Sequence, residues 1–165
     1  GGGKIISELM GIHYGKKYFK KLIIFRPHNV YGPDMGYEHV IPEFIKRFKL
    51  LKGKNFKIQG TGNEIRSFIY IDDFLSAFEK VLKKGNHLEI YNIGTNEEIK
   101  IIDVVKKKLK LFNKKNKISI GKIKKGSPIR RQPEIKKIKS LGFKQKINFD
   151  AGLSKTIDWY KKNQI

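Results

Sequence analysis

Apolar residues recur along this chain in two rhythms, one stepping three or four positions and one made of short unbroken runs. Ile5, Leu9 and Ile12, with Met10 beside them, predict a helix over residues 4–18 with one apolar face, and Gly15 falls near its end. The same spacing at Ile41, Phe44, Ile45 and Phe48 predicts a second helix over 39–51, where Pro42 is tolerated only in the first turn. Phe74, Ala77, Phe78 and Val81 form the stripe of a third helix, which runs to Leu82 with Asp72 as its N-cap. Further helices are expected over 101–112, 134–140 and 149–162.

Strand-length runs lie between them. Leu22-Ile23-Ile24-Phe25 reads as a buried strand that stops at Arg26-Pro27 and opens into a rigid loop through Tyr31-Gly32-Pro33. Short strands are expected at 56–58 and 67–71, around a Gly60–Gly62 turn, and at 90–93 and 118–120, with polar loops at 113–117 and 122–128. Alternating helix and strand signals, without an internal repeat or a long linker, predict one α/β unit. Ligands collect at the carboxyl ends of strands in open α/β sheets, so the strand leading into Arg26, His28, Asn29 and Tyr31 marks a candidate binding place.

Composition narrows the function classes. With 165 residues, 39% of them hydrophobic and 12% aromatic, the chain has enough apolar material for one core. It has no cysteine, which excludes disulfides and thiolate catalysis and suits a reducing, cytoplasmic setting. No apolar run approaches the ~20 residues of a membrane-spanning helix, and no signal peptide is visible. The formal charge of +22 raises a basic nucleic-acid-binding module as an alternative function. Against it, the lysines are scattered, the only arginines are Arg26, Arg47, Arg66, Arg130 and Arg131, and the aromatics occupy core-like positions. No cluster has metal-ligand spacing, so no metal site is expected.

Four blocks carry the chemistry. The first is Phe25-Arg26-Pro27-His28-Asn29-Val30-Tyr31-Gly32-Pro33, and the second runs from Gly60-Thr61-Gly62 through Arg66-Ser67-Phe68 to Asp72-Asp73. The third is Tyr91-Asn92-Ile93-Gly94. The fourth is Arg130-Arg131-Gln132-Pro133-Glu134, ahead of Leu141-Gly142-Phe143 and a closing helix from Gly152 to Tyr160. In this order the blocks resemble the extended short-chain dehydrogenase/reductase family, the NAD-dependent epimerases and dehydratases of nucleotide-activated sugars.

The resemblance implies the last strands and helices of a Rossmann-type parallel sheet, interleaved over residues 1–165 with a small α/β substrate-binding lobe. It covers only the second half of such an enzyme. The family's catalytic Tyr-x-x-x-Lys is matched by Gly1-Gly2-Gly3-Lys4 only as x-x-x-Lys, so the tyrosine would directly precede Gly1. The Gly-rich dinucleotide fingerprint is also missing from this sequence, so the N-terminal NAD-binding half is expected to be absent and the fragment itself inactive. NAD or NADP is then the cofactor of the full-length protein, with none bound by the fragment.

Residue roles follow from the same resemblance. Lys4 would contact the nicotinamide ribose and lower the tyrosine's pKa, while Pro27 and His28 would pass close to the nicotinamide. Asn29 would donate to the diphosphate of a nucleotide sugar, and Val40 and Ile58 would line the base pocket. Arg66 and Arg131 would clamp the diphosphate bidentately. Glu134 stands where the family usually has the aspartate that takes the ribose hydroxyls. Of Asp72 and Asp73, one is expected to cap its helix and the other to face arginine or solvent. The implied partner is a nucleotide-diphosphate sugar, with a homodimer formed by the complete enzyme, and a non-catalytic sugar-nucleotide scaffold is a further alternative.

Overall fold

A computed structural model describes residues 2–36, 38–51, 53, 55–122, 126 and 128–163. The chain order is α1 (Gly2–Tyr18), β1 (Ile24–Pro27), β2 (Val30–Tyr31), α2 (Val40–Leu50), β3 (Asn55–Lys57), β4 (Ile65–Ser67) and β5 (Ile69–Tyr70). It continues with α3 (Ile71–Lys84), β6 (Ile90–Ile93), β7 (Glu98–Lys100), α4 (Ile101–Leu111), β8 (Lys117–Ser119), β9 (Arg130–Arg131), α5 (Lys136–Ser140) and α6 (Phe149–Asn163). The parallel pairs β1–β6, β2–β5 and β3–β8 give the expected α/β character. A further sheet sets β4 between antiparallel β7 and parallel β9.

Two apolar clusters hold these pieces. The larger joins Phe44, Ile45 and Phe48 of α2 to Phe56, Ile58, Val104, Val105 and the inner face of α6, including Leu153 and Ile157. The smaller packs Ala77 and Val81 of α3 against Ile69, Tyr91, Ile93, Ile138 and Phe143. Phe48 and Phe56 stack with centroids 4.1 Å apart, which fastens α2 to β3.

The α2 stripe and Ala77 and Val81 of the α3 stripe are buried as their spacing predicts, with Phe74 and Phe78 partly buried, but several local expectations need correction. The first strand begins at Ile24 and is not buried, and Phe25 is 41% exposed. Among the described residues β1 is paired on one side only, so its outer edge and much of one face stay open. The run 67–71 is not one strand either. It breaks at Phe68 because β4 pairs with β7 and β9, whereas β5 pairs with β2. Asp72 does not cap α3, since the N-cap position is Tyr70 with no side-chain bond. Asp73 is 2% exposed and accepts from the backbone N–H groups of Lys146 and Ile147 at 2.9–3.1 Å, tying the approach to α6 onto α3. The last five-residue helix starts at Lys136 rather than 134, because the Glu134 carboxylate takes the Lys136 N–H at 2.8 Å. On α1 the residues Ile5, Leu9 and Met10 are exposed, and Gly15 is the buried contact against Leu22 and Leu88. The loop expected at 122–128 lies largely outside the described residues.

Lys108 is fully buried in α4 and donates from Nζ to the Ile41 carbonyl of α2 at 2.7 Å, 5.1 Å from the Phe44 ring centroid. Burial pushes its pKa well below the usual lysine value, with Glu43 opposing the shift. The unfolded chain therefore binds this proton more readily than the folded one. Stability gains from Lys108 as pH rises toward the ordinary lysine pKa and loses as pH falls. Urea unfolding of the parent and Lys108→Met at several pH values should show the parent gaining on the variant with rising pH, by up to about 1.4 kcal/mol per unit. Parallel curves would contradict this.

Candidate functional site

The strand register builds the site. In the parallel pairing of β4 and β9, Ile65 lies opposite Arg130 and Arg66 opposite Arg131, so two arginines 65 positions apart become neighbours on one face. They line a pocket of about 560 Å³ with Asn29, Glu38, Val40, Glu43, Phe44, Arg47, Gln59, Gly60, Glu64, Phe68 and Ile101. Its walls thus come from α2, from the turn before β4, from the loop after β1 and from β9.

The arginines of this region differ in how they are held. Arg66 donates from Nη1 to its neighbour's carbonyl on Ile65 at 2.8 Å and to Ile129 at 3.3 Å. Burial lowers the Arg66 pKa, the Arg131 guanidinium lowers it further, and Glu64 opposes them. Arg130 faces away, bound to Glu98 at 2.6 Å across the sheet, and acts as a surface clasp. Among the described residues Arg131 makes no hydrogen bond or ion pair from its guanidinium. Asn29 adopts a left-handed φ of 42° and donates from Nδ2 to Ser67 O at 2.7 Å, which locks the loop after β1 onto β4. Its second amide hydrogen and its oxygen have no protein partner among the described residues.

Glu64 lines the pocket, although the sequence motifs do not single it out. It is 7% exposed, and its carboxylate accepts from Thr61 N at 3.0 Å and Gly62 N at 2.9 Å. Burial raises its pKa, but these hydrogen bonds and those of its own backbone outweigh that and leave it lowered. The signal was present in the Gly60-Thr61-Gly62-Asn63-Glu64 turn, where Gly60 and Gly62 take φ of 87° and 82° and a carboxylate two or three residues on reaches back to the turn's N–H groups. Arg47 lies outside every sequence motif and also lines the pocket. It bonds Glu43 at 3.0 Å and the Lys57 carbonyl, and stands over the Phe56 ring at 4.4 Å.

Of the remaining sequence candidates, Val40 lines the pocket, while Ile58 is 1% exposed and lines an adjoining cavity of about 280 Å³. Glu134 stands apart from the pocket at the start of α5, with Lys136 3.6 Å from its carboxylate. Tyr31 belongs to the core, its hydroxyl donating to Phe149 O at 3.2 Å, and Arg26 is drawn aside into an ion pair with Glu8 of α1 at 2.5 Å. His28 lies 3.5 Å from Asn92 Oδ1, and burial, then the nearby Arg131 and Arg26, lower its pKa against the pull of that contact. Pro27 ends β1 in an exposed position, and Lys4 is exposed on α1. The described residues present no Gly-rich strand–turn–helix cradle for a dinucleotide, nor three or more potential metal ligands in a group. No helix among them is long and apolar enough to cross a membrane.

A model of the NAD dependent epimerase/dehydratase family matches residues 2–94. The chain is 38% identical over 160 residues to the trifunctional UDP-glucose 4,6-dehydratase/UDP-4-keto-6-deoxy-D-glucose 3,5-epimerase/UDP-4-keto-L-rhamnose-reductase of Arabidopsis thaliana, covering 95% of this chain and 24% of that protein. It is 35% identical over 167 residues to dTDP-D-glucose 4,6-dehydratase of Mus musculus, covering 97% and 46%. The dTDP-glucose 4,6-dehydratase of Bacillus anthracis, solved in complex with NAD, superposes with a TM-score of 0.82 at 32% identity, covering 94% of this chain and 50% of that one. UDP-glucose 4-epimerase of Thermotoga maritima, solved with UDP-glucose, gives a TM-score of 0.86 at 26% identity over 96% and 52%. The chain thus spans about half or less of the length of these relatives.

The turn before β4 yields a test. A Cβ on Gly60 would collide with the Glu64 carboxylate and would sit at a positive φ. Gly60→Ala should destabilise the chain by roughly 1–3 kcal/mol, read as a lower urea midpoint. An unchanged midpoint would show that the turn does not depend on this close approach.

Proposed function

This chain belongs to the NAD dependent epimerase/dehydratase family, and from that premise we propose that it is the substrate-binding half of an NAD(P)-dependent nucleotide-diphosphate-sugar epimerase or dehydratase. The observation that carries the reading is the registered pair Arg66 and Arg131 on one wall of the 560 Å³ pocket, with the Asn29 amide on the same cavity. Two guanidinium groups side by side repel one another, and a pyrophosphate offers paired anionic oxygens that relieve both at once. Relatives that share this fold are named for UDP- and dTDP-sugar chemistry, which fits such an anion.

In this reading residues 1–165 form one unit, the C-terminal part of a Rossmann domain interleaved with the sugar-nucleotide lobe. Arg66 and Arg131 grip the diphosphate, Asn29 donates to it without adding charge, and Glu64 keeps the turn that aims Arg66 in place. NAD or NADP would supply transient oxidation and return of a hydride in the complete enzyme. Since the described residues form no dinucleotide cradle, the contribution assigned to this chain is substrate grip. Lys4 would support the catalytic tyrosine electrostatically. The exposed Ile5, Ile6, Leu9 and Met10 of α1 suit contact with a second copy in a cytoplasmic homodimer.

Calorimetric titration of the chain with UDP-glucose or dTDP-glucose tests the clamp. Arg66→Ala and Arg131→Ala should each weaken binding about ten- to a hundredfold, the cost of losing charge-assisted hydrogen bonds. Binding that survives both substitutions unchanged would refute the assignment.

A further inference from the structure

Arg47 belongs to two cavities at once. It lines the 560 Å³ pocket together with Arg66 and Arg131, and it lines the neighbouring 280 Å³ cavity together with Ile58 and Gly121. Gln59 is the other residue common to both cavities. The guanidinium is fixed in plane by Glu43 Oε1 at 3.0 Å and by the Lys57 carbonyl. Its carbon lies 4.4 Å from the centroid of Phe56, which is itself 1% exposed, and 5.8 Å from that of Phe44. A planar cation backed by buried rings and held at its edges loses little freedom when a second flat group lies on it.

We infer that Arg47 is the stacking platform for the nucleobase of a nucleoside diphosphate, and thus a specificity-determining residue of the site. The inference rests on the diphosphate reading of Arg66 and Arg131. With the diphosphate on those two arginines, the base enters the smaller cavity against Arg47, whose side chain is 38% exposed. Stacking on a guanidinium plane needs no particular base, so it favours nucleotides over bare phosphates. Beside it, the Gln59 side chain offers one amide donor pair and one acceptor to the edge of the base. The Glu43 contact offsets the Arg47 charge, which suits Arg47 to an uncharged ring and leaves the phosphates to Arg66 and Arg131.

Titrating the chain and its Arg47→Lys variant with UDP and with inorganic pyrophosphate tests this, because lysine keeps the charge and loses the plane. UDP affinity should fall about tenfold while pyrophosphate affinity stays within about twofold. Equal losses for both ligands would make Arg47 a phosphate contact and overturn the inference. No loss for either would overturn it while leaving the diphosphate clamp standing. Absence of binding by the parent chain to either ligand would remove both readings. The parent chain offers a readout that no variant can disturb. Nuclear Overhauser contacts from uracil H5 and H6 to the Arg47 Hδ protons are expected, and contacts confined to Val40 or Ile101 would contradict the platform.

Discussion

The site depends on one backbone constraint, the parallel register of β4 and β9 that holds Arg66 beside Arg131. Like charges placed together in a partly desolvated pocket oppose folding, and the lowered pKa of Arg66 records that opposition. The surrounding structure holds the arrangement in place. On the other edge of β4, β7 pairs antiparallel, and the Arg130–Glu98 bond spans the three strands from the far side. Glu64 sets the turn into β4, and Asn29 fastens the loop after β1 to Ser67. These contacts preform the arginine pair on one wall of a pocket that Glu38, Glu43 and Glu64 also line, and the proposed anionic ligand would relieve the repulsion between the two guanidinium groups.

Much of the framework was legible in the sequence because periodic burial is a local signal. The stripes Phe44-Ile45-Phe48 and Ala77-Val81 are buried in the core, as their spacing predicts, and the expected helix over 101–112 buries Val104 and Val105. What escaped were features set by distant partners. Nothing local distinguishes one strand over 67–71 from two strands broken at Phe68, since the break follows from which neighbours pair with each half. Asp73 looked like a helix-terminal acid, but its partners are backbone groups 73 and 74 residues away. The motif order put Asn29, Arg66 and Arg131 on one ligand, and they share a pocket. Glu134, which the resemblance makes a ribose contact, accepts the Lys136 N–H at the start of α5 and is not among the residues that line that pocket.

The excess of lysine has a structural side. Several lysines work as long-reach donors to carbonyls or carboxylates of neighbouring elements. Lys114 caps the end of α2 at Phe48, Lys161 reaches Leu111 at the end of α4, Lys107 meets Asp150 and Lys137 meets Glu89. The last two are exposed ion pairs and contribute little each. The use of lysine across unrelated elements, with Lys108 buried in the core, fits general stitching of the fold better than a surface shaped for a polyanion. The arginines divide differently. Arg26 and Arg130 are bound to carboxylates outside the pocket, and Arg47, Arg66 and Arg131 line it.

The most direct examination of this account is a crystal structure of the chain grown with UDP. The account requires the diphosphate oxygens to lie within hydrogen-bond distance, about 2.7–3.0 Å, of both the Arg66 and the Arg131 guanidinium groups. A diphosphate bound elsewhere, or touching neither arginine, would contradict it.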